Sequence, residues 1–313
     1  MFSKVLIANR GEIAVRIARA LRDLQIEGVA VYARDDAQAL HVRLADQAQA
    51  LDAAGPPAYL DGAALIACAR RAGCDAVHPG YGFLSESATF AQACLDAGLA
   101  FIGPTPTQLA LFGDKARARA LASECGVPLM PGIDHAVSEP EAEHFFADQQ
   151  ARGAAGIVIK AVAGGGGRGM RVVTRAQDVA EAWRRCTSEA RAAFGNAAVY
   201  AERLLPRARH IEVQVLGDGQ QVACLGLREC TLQRRFQKLV EIAPSPTLAP
   251  ALRERLTRAA LTLARRAAYR SLGTFEFLVD ADSAALPFVF IEANPRLQVE
   301  HTITEAITGL DLV

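Results

Sequence analysis

The sequence has no net charge: 34 Lys plus Arg stand against 34 Asp plus Glu in 313 residues. A neutral chain has no field to draw it onto nucleic acid or an anionic membrane. Long apolar runs are also missing, and none approaches the ~18 residues of a spanning helix. At the N-terminus Lys4, Arg10 and Glu12 interrupt a short apolar run, which is not a secretory leader. The seven cysteines are odd in number and form no C-x-x-C pair. Neither a zinc site nor a disulfide framework is expected, and they read as reduced thiols of a cytoplasmic chain, mostly small core residues. No period of 20–50 residues indicates a repeat. What remains, 51% apolar and 22% charged, is globular and long enough for two or three cores.

The most distinctive stretch is Ile157 to Val173, IVIKAVAGGGGRGMRVV. The flanks, Ile157–Ile159 and Met170–Val173, are rich in β-branched residues, which predicts a hairpin with a glycine tip at 164–167. Without side chains, backbone N–H groups at such a tip can close on a polyanion. Lys160 and Arg168 place a cation on either side. No Lys-Ser or Lys-Thr follows the glycines and no helix starts there, so this is not a Walker loop. The expectation is a lid folding over nucleotide phosphates.

Upstream, strand Val5–Ala8, a helix with Ile13, Ile17, Ala20, Leu21 and Leu24 at helical spacing, and strand Gly28–Ala33 predict the start of a parallel sheet. Only Gly11 occupies the first turn, so a dinucleotide fingerprint is absent. Strand Asp75–Val77 runs into the turn His78 to Glu86, at a strand end where open parallel sheets bind ligands. His78 and Glu86 are candidates for function or for turn support, and Ser85 for the cap of a helix near Ala88–Gly98. Thr105 and Asp114 are predicted caps of helices reaching Phe112 and about Cys125. Gly126, Pro128, Pro131 and Gly132 then mark a boundary. Lys115 opposes the dipole of its helix, which a bound phosphate would relieve; the other reading is a solvated surface lysine. Beyond it come helix Ser138–Arg152, a long helix Ala176–Phe194 with the only tryptophan, Trp183, as core anchor, and strand Ala198–Leu204. Glu202 in that strand is placed to accept from an amino group.

From His210 to Val215 the pattern alternates, with Ile211, Val213 and Val215 on one face and His210, Glu212 and Gln214 on the other. Such a polar face is either solvated or lines a site. Arg228 to Lys238 holds four cations in eleven residues and reads as a basic loop, solvated or anion-binding. A helix, Ala251–Tyr269, follows. Strands Gly273–Val279 and Phe288–Asn294 are expected to pair antiparallel and bring Glu276 near Glu292, with Phe290, Glu292 and Asn294 on one face. Two close, buried carboxylates repel unless a cation lies between them. With Asn294 they form a hard oxygen set suited to magnesium shared with phosphates. An extended continuation would carry Arg296, Gln298 and Glu300 on the same side, which suits a small oxyanion and a base.

The segments IANRGEIAVRI, HPGYGFLSE, GGGGRGM, RHIEVQV, QRRFQK, GTFEFL and IEANPRLQVEH, in this order, resemble biotin carboxylase of the ATP-grasp fold, and the match runs from residue 1 to 313. The resemblance implies an α/β fold: a Rossmann-like parallel-sheet N-terminal domain over 1–113, then an ATP-grasp domain over 114–313 with a lid at about 131–204. It implies that bicarbonate attacks the γ-phosphate of ATP to give carboxyphosphate and ADP, and that CO₂ passes to the ureido nitrogen of carrier-bound biotin. Lys115, Lys160, Gly166, Gly167, Met170, Glu202, Arg203, Leu205, His210, Gln233 and Leu278 would hold ATP. Glu276, Glu292 and Asn294 would hold magnesium or manganese, as two ions. Lys238, Arg296, Gln298 and Val299 would hold bicarbonate, and Glu300, with Lys238 and Arg296 in the catalytic set, would be the base. The implied partners are a biotin carboxyl carrier protein, a carboxyltransferase subunit and a second copy in a homodimer, with no nucleic acid and no membrane.

This would be the first half-reaction of an acetyl-CoA or other acyl-CoA carboxylase, as in fatty acid biosynthesis, with pyruvate and urea as other acceptors of the family. Phe236 stands where the family has histidine, Ala163 replaces a loop glycine, and Arg203 replaces a lysine. The family domain continues past Val313, so the chain is expected to be a C-terminally incomplete ATP-grasp domain. Two other readings stand beside this one: a non-catalytic fragment that binds nucleotide or docks a partner, and an ATP-grasp ligase of the kind that makes carbamoyl phosphate.

Overall fold

The structure is a computed structural model, and it describes residues 2–133, 135–162, 169–234, 237–280 and 287–313. The first sheet contains β1 (Lys4–Ile7), β2 (Glu27–Tyr32), β3 (Gln47–Ala50), β4 (Ala76–His78) and β5 (Ala100–Phe101), in the order β3-β2-β1-β4-β5. All its pairings are parallel. Val5, Leu6, Ile7, Val29, Ala30 and Val31 are fully buried, as expected where helices cover both faces. Helix Gly11–Asp23 buries Ile13, Ile17 and Leu21. The expected caps Thr105 and Asp114 are present; Thr105 forms a capping box with Gln108, and Ser138, read as the first helical residue, is instead the cap of its helix in a capping box with Glu141. Ser85 is not the cap of helix Ala88–Asp96. Ser87, directly before the first helical residue, accepts from the Phe90 N–H at 3.1 Å.

A second sheet contains β6 (Ile157–Ala161), β7 (Met170–Val173) and β8 (Val199–Arg203), with β6 in the middle and both pairings antiparallel. The hairpin stem is as predicted, with Ile157 opposite Val173 and Lys160 opposite Met170. Its tip, with Gly166, Gly167 and Arg168, lies outside the described residues. The following helix opens as a tighter turn, Ala176–Asp178, and becomes α-helical over Val179–Phe194. Trp183 packs half-buried on this core, and its indole N–H donates to the Val137 carbonyl at 2.9 Å.

The third sheet is antiparallel: β9 (Ala208–Asp218), β10 (Val222–Arg234), β11 (Gln237–Ile242), β12 (Arg270–Asp280) and β13 (Phe288–Asn294), in the order β11-β10-β9-β12-β13. The expected basic loop at 228–238 is instead the facing ends of β10 and β11, with Gln233 opposite Lys238. The cations mask a strand in which Cys230 faces the interior. A bulge overturns a second expectation. Glu276 lies opposite Glu292 but Phe277 lies opposite Phe290, so Ile291 is the extra residue. Phe290 thereby turns into the core and Glu292 stays on the Glu276 face. The helix expected to reach Tyr269 ends at Arg266, with Ala268 at φ +46° and the Tyr269 hydroxyl donating to the Leu272 carbonyl.

Phe112, Tyr269, Phe275, Phe277, Phe288 and Phe290 form a continuous aromatic core beneath this sheet. No helix among the described residues is long and apolar enough to cross a membrane. Phe275→Ala is expected to destabilise the fold by about 3–5 kcal/mol, read as a lower midpoint in denaturant unfolding.

Candidate active site

The alternation in β9 resolves into two buried faces. Ile211, Val213 and Val215 lie in the aromatic core, while His210, Glu212 and Gln214 are buried on the other side. Register sets Glu212 between Arg228 on β10 and Glu276 on β12. Arg228 is fully buried and spends its guanidinium on five oxygens. It donates to Glu212 at 3.0 and 3.2 Å, to Gln214 and Gln298 at 2.7 Å, to Thr304 at 2.8 Å and to Thr274 at 3.2 Å. Lys238 reaches in from β11, pairing with Glu212, with Glu276 at 3.2 Å and with Glu300 at 3.2 Å.

Glu276 is the most heavily bonded acid. His210 Nε2 lies 2.7 Å from one oxygen, and Asn294 Nδ2 at 2.7 Å and Gln298 Nε2 at 3.2 Å donate to the other. Burial opposes its charge, but the His210 bond and charge and the Lys238 charge outweigh it and hold this carboxyl well below the ordinary range. Burial likewise opposes the Lys238 ammonium, yet Glu276, Glu212 and Glu300 raise its pKa. Glu300 is lowered by Lys238 against its own burial. Glu292 moves the other way, raised by burial and then by the facing charge of Glu276. Gln233 Nε2 lies 2.9 Å from His210 Nδ1, which keeps the imidazole aimed at Glu276.

A second cluster lies towards the hairpin. Lys160 pairs with Glu202 at 2.5 Å, and Arg119 holds the other Glu202 oxygen at 2.7 Å. Lys115 stands 3.8 Å from Glu292, so it is not a solvated surface lysine. Arg203, Leu205 and Leu278 line a cleft of about 410 Å³ with Met130, Pro206 and Val289. Met170 faces Lys160 across the hairpin.

The extended run expected after Asn294 does not form. Residues 295–300 turn, and helix His301–Thr308 follows. Gln298 and Glu300 enter the Lys238 cluster, whereas Arg296 turns away to pair with Glu86 and reaches back to Asn294 Oδ1 at 3.3 Å. Val299 is exposed. Glu86 is therefore an ion-pair partner of Arg296 rather than support for a helix turn. His78 closes β4 and supports the turn that follows: its Nδ1 accepts from the Gly80 N–H at 3.0 Å, and burial pulls the imidazole down to about 4. Arg228, Arg119 and the full role of Glu212 escaped the sequence reading. The signal for Glu212 was the strict alternation of β9, whereas the signal for Arg228 was hidden in the count of cations.

Residues 1–109 match the family model described as biotin carboxylase, N-terminal domain, and residues 114–313 match carbamoyl-phosphate synthase L chain, ATP binding domain. A solved biotin carboxylase from Campylobacter jejuni, in a β,γ-ATP complex, is 41% identical with a TM-score of 0.94, covering 100% of this chain and 69% of that one. The chain belongs to the biotin carboxylase family. The biotin carboxylase domain dimer of Hydrogenobacter thermophilus 2-oxoglutarate carboxylase, solved with MgADP, ADP and bicarbonate, is 41% identical with a TM-score of 0.93, over 100% of this chain and 68% of that one. Among curated relatives, pyruvate carboxylase of Bacillus subtilis is 50% identical over 99% of this chain, and this chain spans 27% of its length. The mitochondrial pyruvate carboxylase of Homo sapiens is 48% identical over 99% of the chain and 26% of its own length.

In this biotin carboxylase fold the donor set suits a divalent ion. Glu276 and Glu292 are cross-strand partners with hard carboxylate oxygens, and a cation would relieve both the burial and the facing Glu276 charge that raise Glu292; Asn294 turns its amide nitrogen to Glu276, so its oxygen would join the set only on turning over. A different trio, His210, Glu212 and Glu276, has ligand atoms within 4.8 Å of one another, but the Lys238 ammonium already contacts two of its members.

Arg228→Met is expected to cost about 3–5 kcal/mol in urea unfolding, because Glu212 is left buried with half its counter-charge. Glu241 supplies a pH test: burial, then Glu300 and Glu212, push its carboxyl up to about 7. The native state then binds more protons than the unfolded one between ~4.3 and 7, so stability falls as pH rises through that window. Glu241→Gln should flatten that part of the stability–pH curve.

Proposed function

We propose that this chain carries out ATP-dependent carboxylation of biotin by bicarbonate. The observation that carries the reading is the Lys238 ammonium, held by Glu212, Glu276 and Glu300 beside Gln298 and next to the Glu276–Glu292 pair. Phosphate and bicarbonate are both small oxyanions, and this is where buried cations and hard ligands converge.

In this reading the adenine enters the cleft lined by Arg203, Leu205 and Leu278, and Glu202 and Met170 border the nucleotide. Lys160 and Lys115 meet the phosphates, together with the hairpin glycines Gly166 and Gly167. His210 and Gln233 complete the nucleotide side. Glu276, Glu292 and Asn294 would hold magnesium or manganese, which supplies charge neutralisation at the phosphates when bound. Lys238, Gln298 and Val299 would orient bicarbonate, with Arg296 joining them on release from Glu86. Glu300, kept ionised by Lys238, would take its proton, with the Lys238 contact giving way as bicarbonate arrives. Attack on the γ-phosphate would expel ADP and give carboxyphosphate, which splits to CO₂ and phosphate; the CO₂ bonds to the ureido nitrogen of biotin as that nitrogen's proton passes to the released phosphate.

The biotin would be presented by a carrier domain, and the carboxyl group would pass on through a carboxyltransferase. Similarity to pyruvate carboxylases favours pyruvate as the final acceptor over the acetyl-CoA expected from the sequence. The dimer named for the Hydrogenobacter relative supports a homodimer here. The match of residues 1–109 to a biotin carboxylase N-terminal domain weighs against a carbamoyl phosphate product.

With MgATP, bicarbonate and free biotin, ADP release should depend on bicarbonate and rise with biotin. Glu292→Gln should lower kcat by about 10²-fold or more. ADP release indifferent to bicarbonate, or a Glu292→Gln rate equal to that of the parent, would overturn the proposal.

A further inference from the structure

His301 belongs to none of the sets named above. It opens helix His301–Thr308, directly after Glu300, and is 1% exposed. Its Nδ1 lies 2.8 Å from the Gln298 carbonyl oxygen, and its own backbone N–H donates to the same oxygen at 3.2 Å. A carbonyl only accepts, so Nδ1 carries the proton. Nε2 has no hydrogen-bond partner among the described residues and stands 3.9 Å from Glu305 Oε2. The other Glu305 oxygen takes Arg16 at 3.1 Å and the Leu312 N–H at 2.8 Å. One ring nitrogen is committed, and the other makes no hydrogen bond.

That commitment sets the plane of a peptide. The Gln298–Val299 bond is trans, so the Val299 N–H points opposite to the Gln298 carbonyl. Drawing the carbonyl towards a buried imidazole turns the N–H the other way, at a residue that is 59% exposed. The Gln298 side chain is held separately: it accepts from Arg228 at 2.7 Å and donates to Glu276 at 3.2 Å. Those contacts orient the side-chain amide, whereas His301 orients the backbone. We infer that His301 is a positioning residue for the oxyanion: by holding the Gln298 carbonyl it aims the Val299 N–H at bicarbonate beside Lys238 and Glu300. The inference rests on the reading that Val299 and Lys238 orient bicarbonate.

Because only Nδ1 is committed, the test can be made specific to one atom. Asparagine can place an amide N–H where His301 has Nδ1, whereas glutamine places it nearer Nε2. A residue that merely filled space would be replaced at least as well by glutamine, the larger of the two. The measurement is bicarbonate- and biotin-dependent ADP release with MgATP. His301→Gln is expected to lower kcat/KM for bicarbonate about ten-fold or more, with KM for MgATP changed less than about two-fold. His301→Asn should stay within about three-fold of the parent on both. General loosening of the Arg228 cluster would reach Glu276 and raise the KM for MgATP as well. Nitrogen-15 shifts of the imidazole in the parent chain need neither a variant nor turnover, and should show Nδ1 protonated. A bare Nδ1, equal kcat/KM for bicarbonate in His301→Gln and His301→Asn, or equal losses for bicarbonate and MgATP would overturn the inference alone. Parent protein whose ADP release ignores bicarbonate would overturn the functional reading beneath it, and the inference with it.

Discussion

The site depends on the burial of Arg228 against Glu212. A guanidinium with no solvent access is tolerated because each arm finds an oxygen: Glu212, Gln214, Thr274, Gln298 and Thr304 come from β9, β12, the turn after β13 and the last helix. Buried charge of this kind gives little net stability but strongly penalises any arrangement that leaves a partner unmatched. It therefore fixes the register of β9 against β10 and β12. It also fixes the turn carrying Gln298 and Glu300, which has no ladder of its own. Glu212 then has one oxygen left for Lys238, and Lys238 reaches Glu276 and Glu300. The order of the reactive groups follows from a chain of pairings that starts at a residue no substrate need touch.

The three sheets contribute different physics. The parallel sheet is apolar through its thickness and supplies, at its strand ends, the turn from which Glu86 grips Arg296. The small antiparallel sheet carries Lys160 and Glu202 and bears the glycine hairpin. The large sheet is aromatic on one face and ionic on the other, and the bulge at Ile291 separates the two in β13. A regular strand would have put Phe290 beside Glu276, where neither a cation nor a phosphate could be met.

Much of this was legible in the residues. The β-branched flanks of the glycine run gave the hairpin stem, Thr105 and Asp114 gave two helix starts, and the antiparallel pairing of Glu276 with Glu292 followed from a short connection between two apolar strands. The failures share a cause. Alternation describes a strand until a bulge resets it, so the side on which Phe290 lies could not be read from spacing. Counting cations in 228–238 hid a strand, because burial of Arg228 depends on an acid, amides and hydroxyls up to 76 residues away. The run after Asn294 was read as extended, but it turns, so Arg296 pairs with Glu86 instead of sharing a side with Gln298 and Glu300. Biotin and bicarbonate themselves came from the resemblance, since no local pattern encodes a ureido ring or a carbonate.

The central claim is that the Lys238 cluster presents bicarbonate to the γ-phosphate. Oxygen-18 tracing addresses it directly. With ¹⁸O-labelled bicarbonate and unlabelled water, the account predicts that each phosphate released with ADP carries one oxygen from bicarbonate. Phosphate that takes its new oxygen from water would show plain ATP hydrolysis and contradict the account.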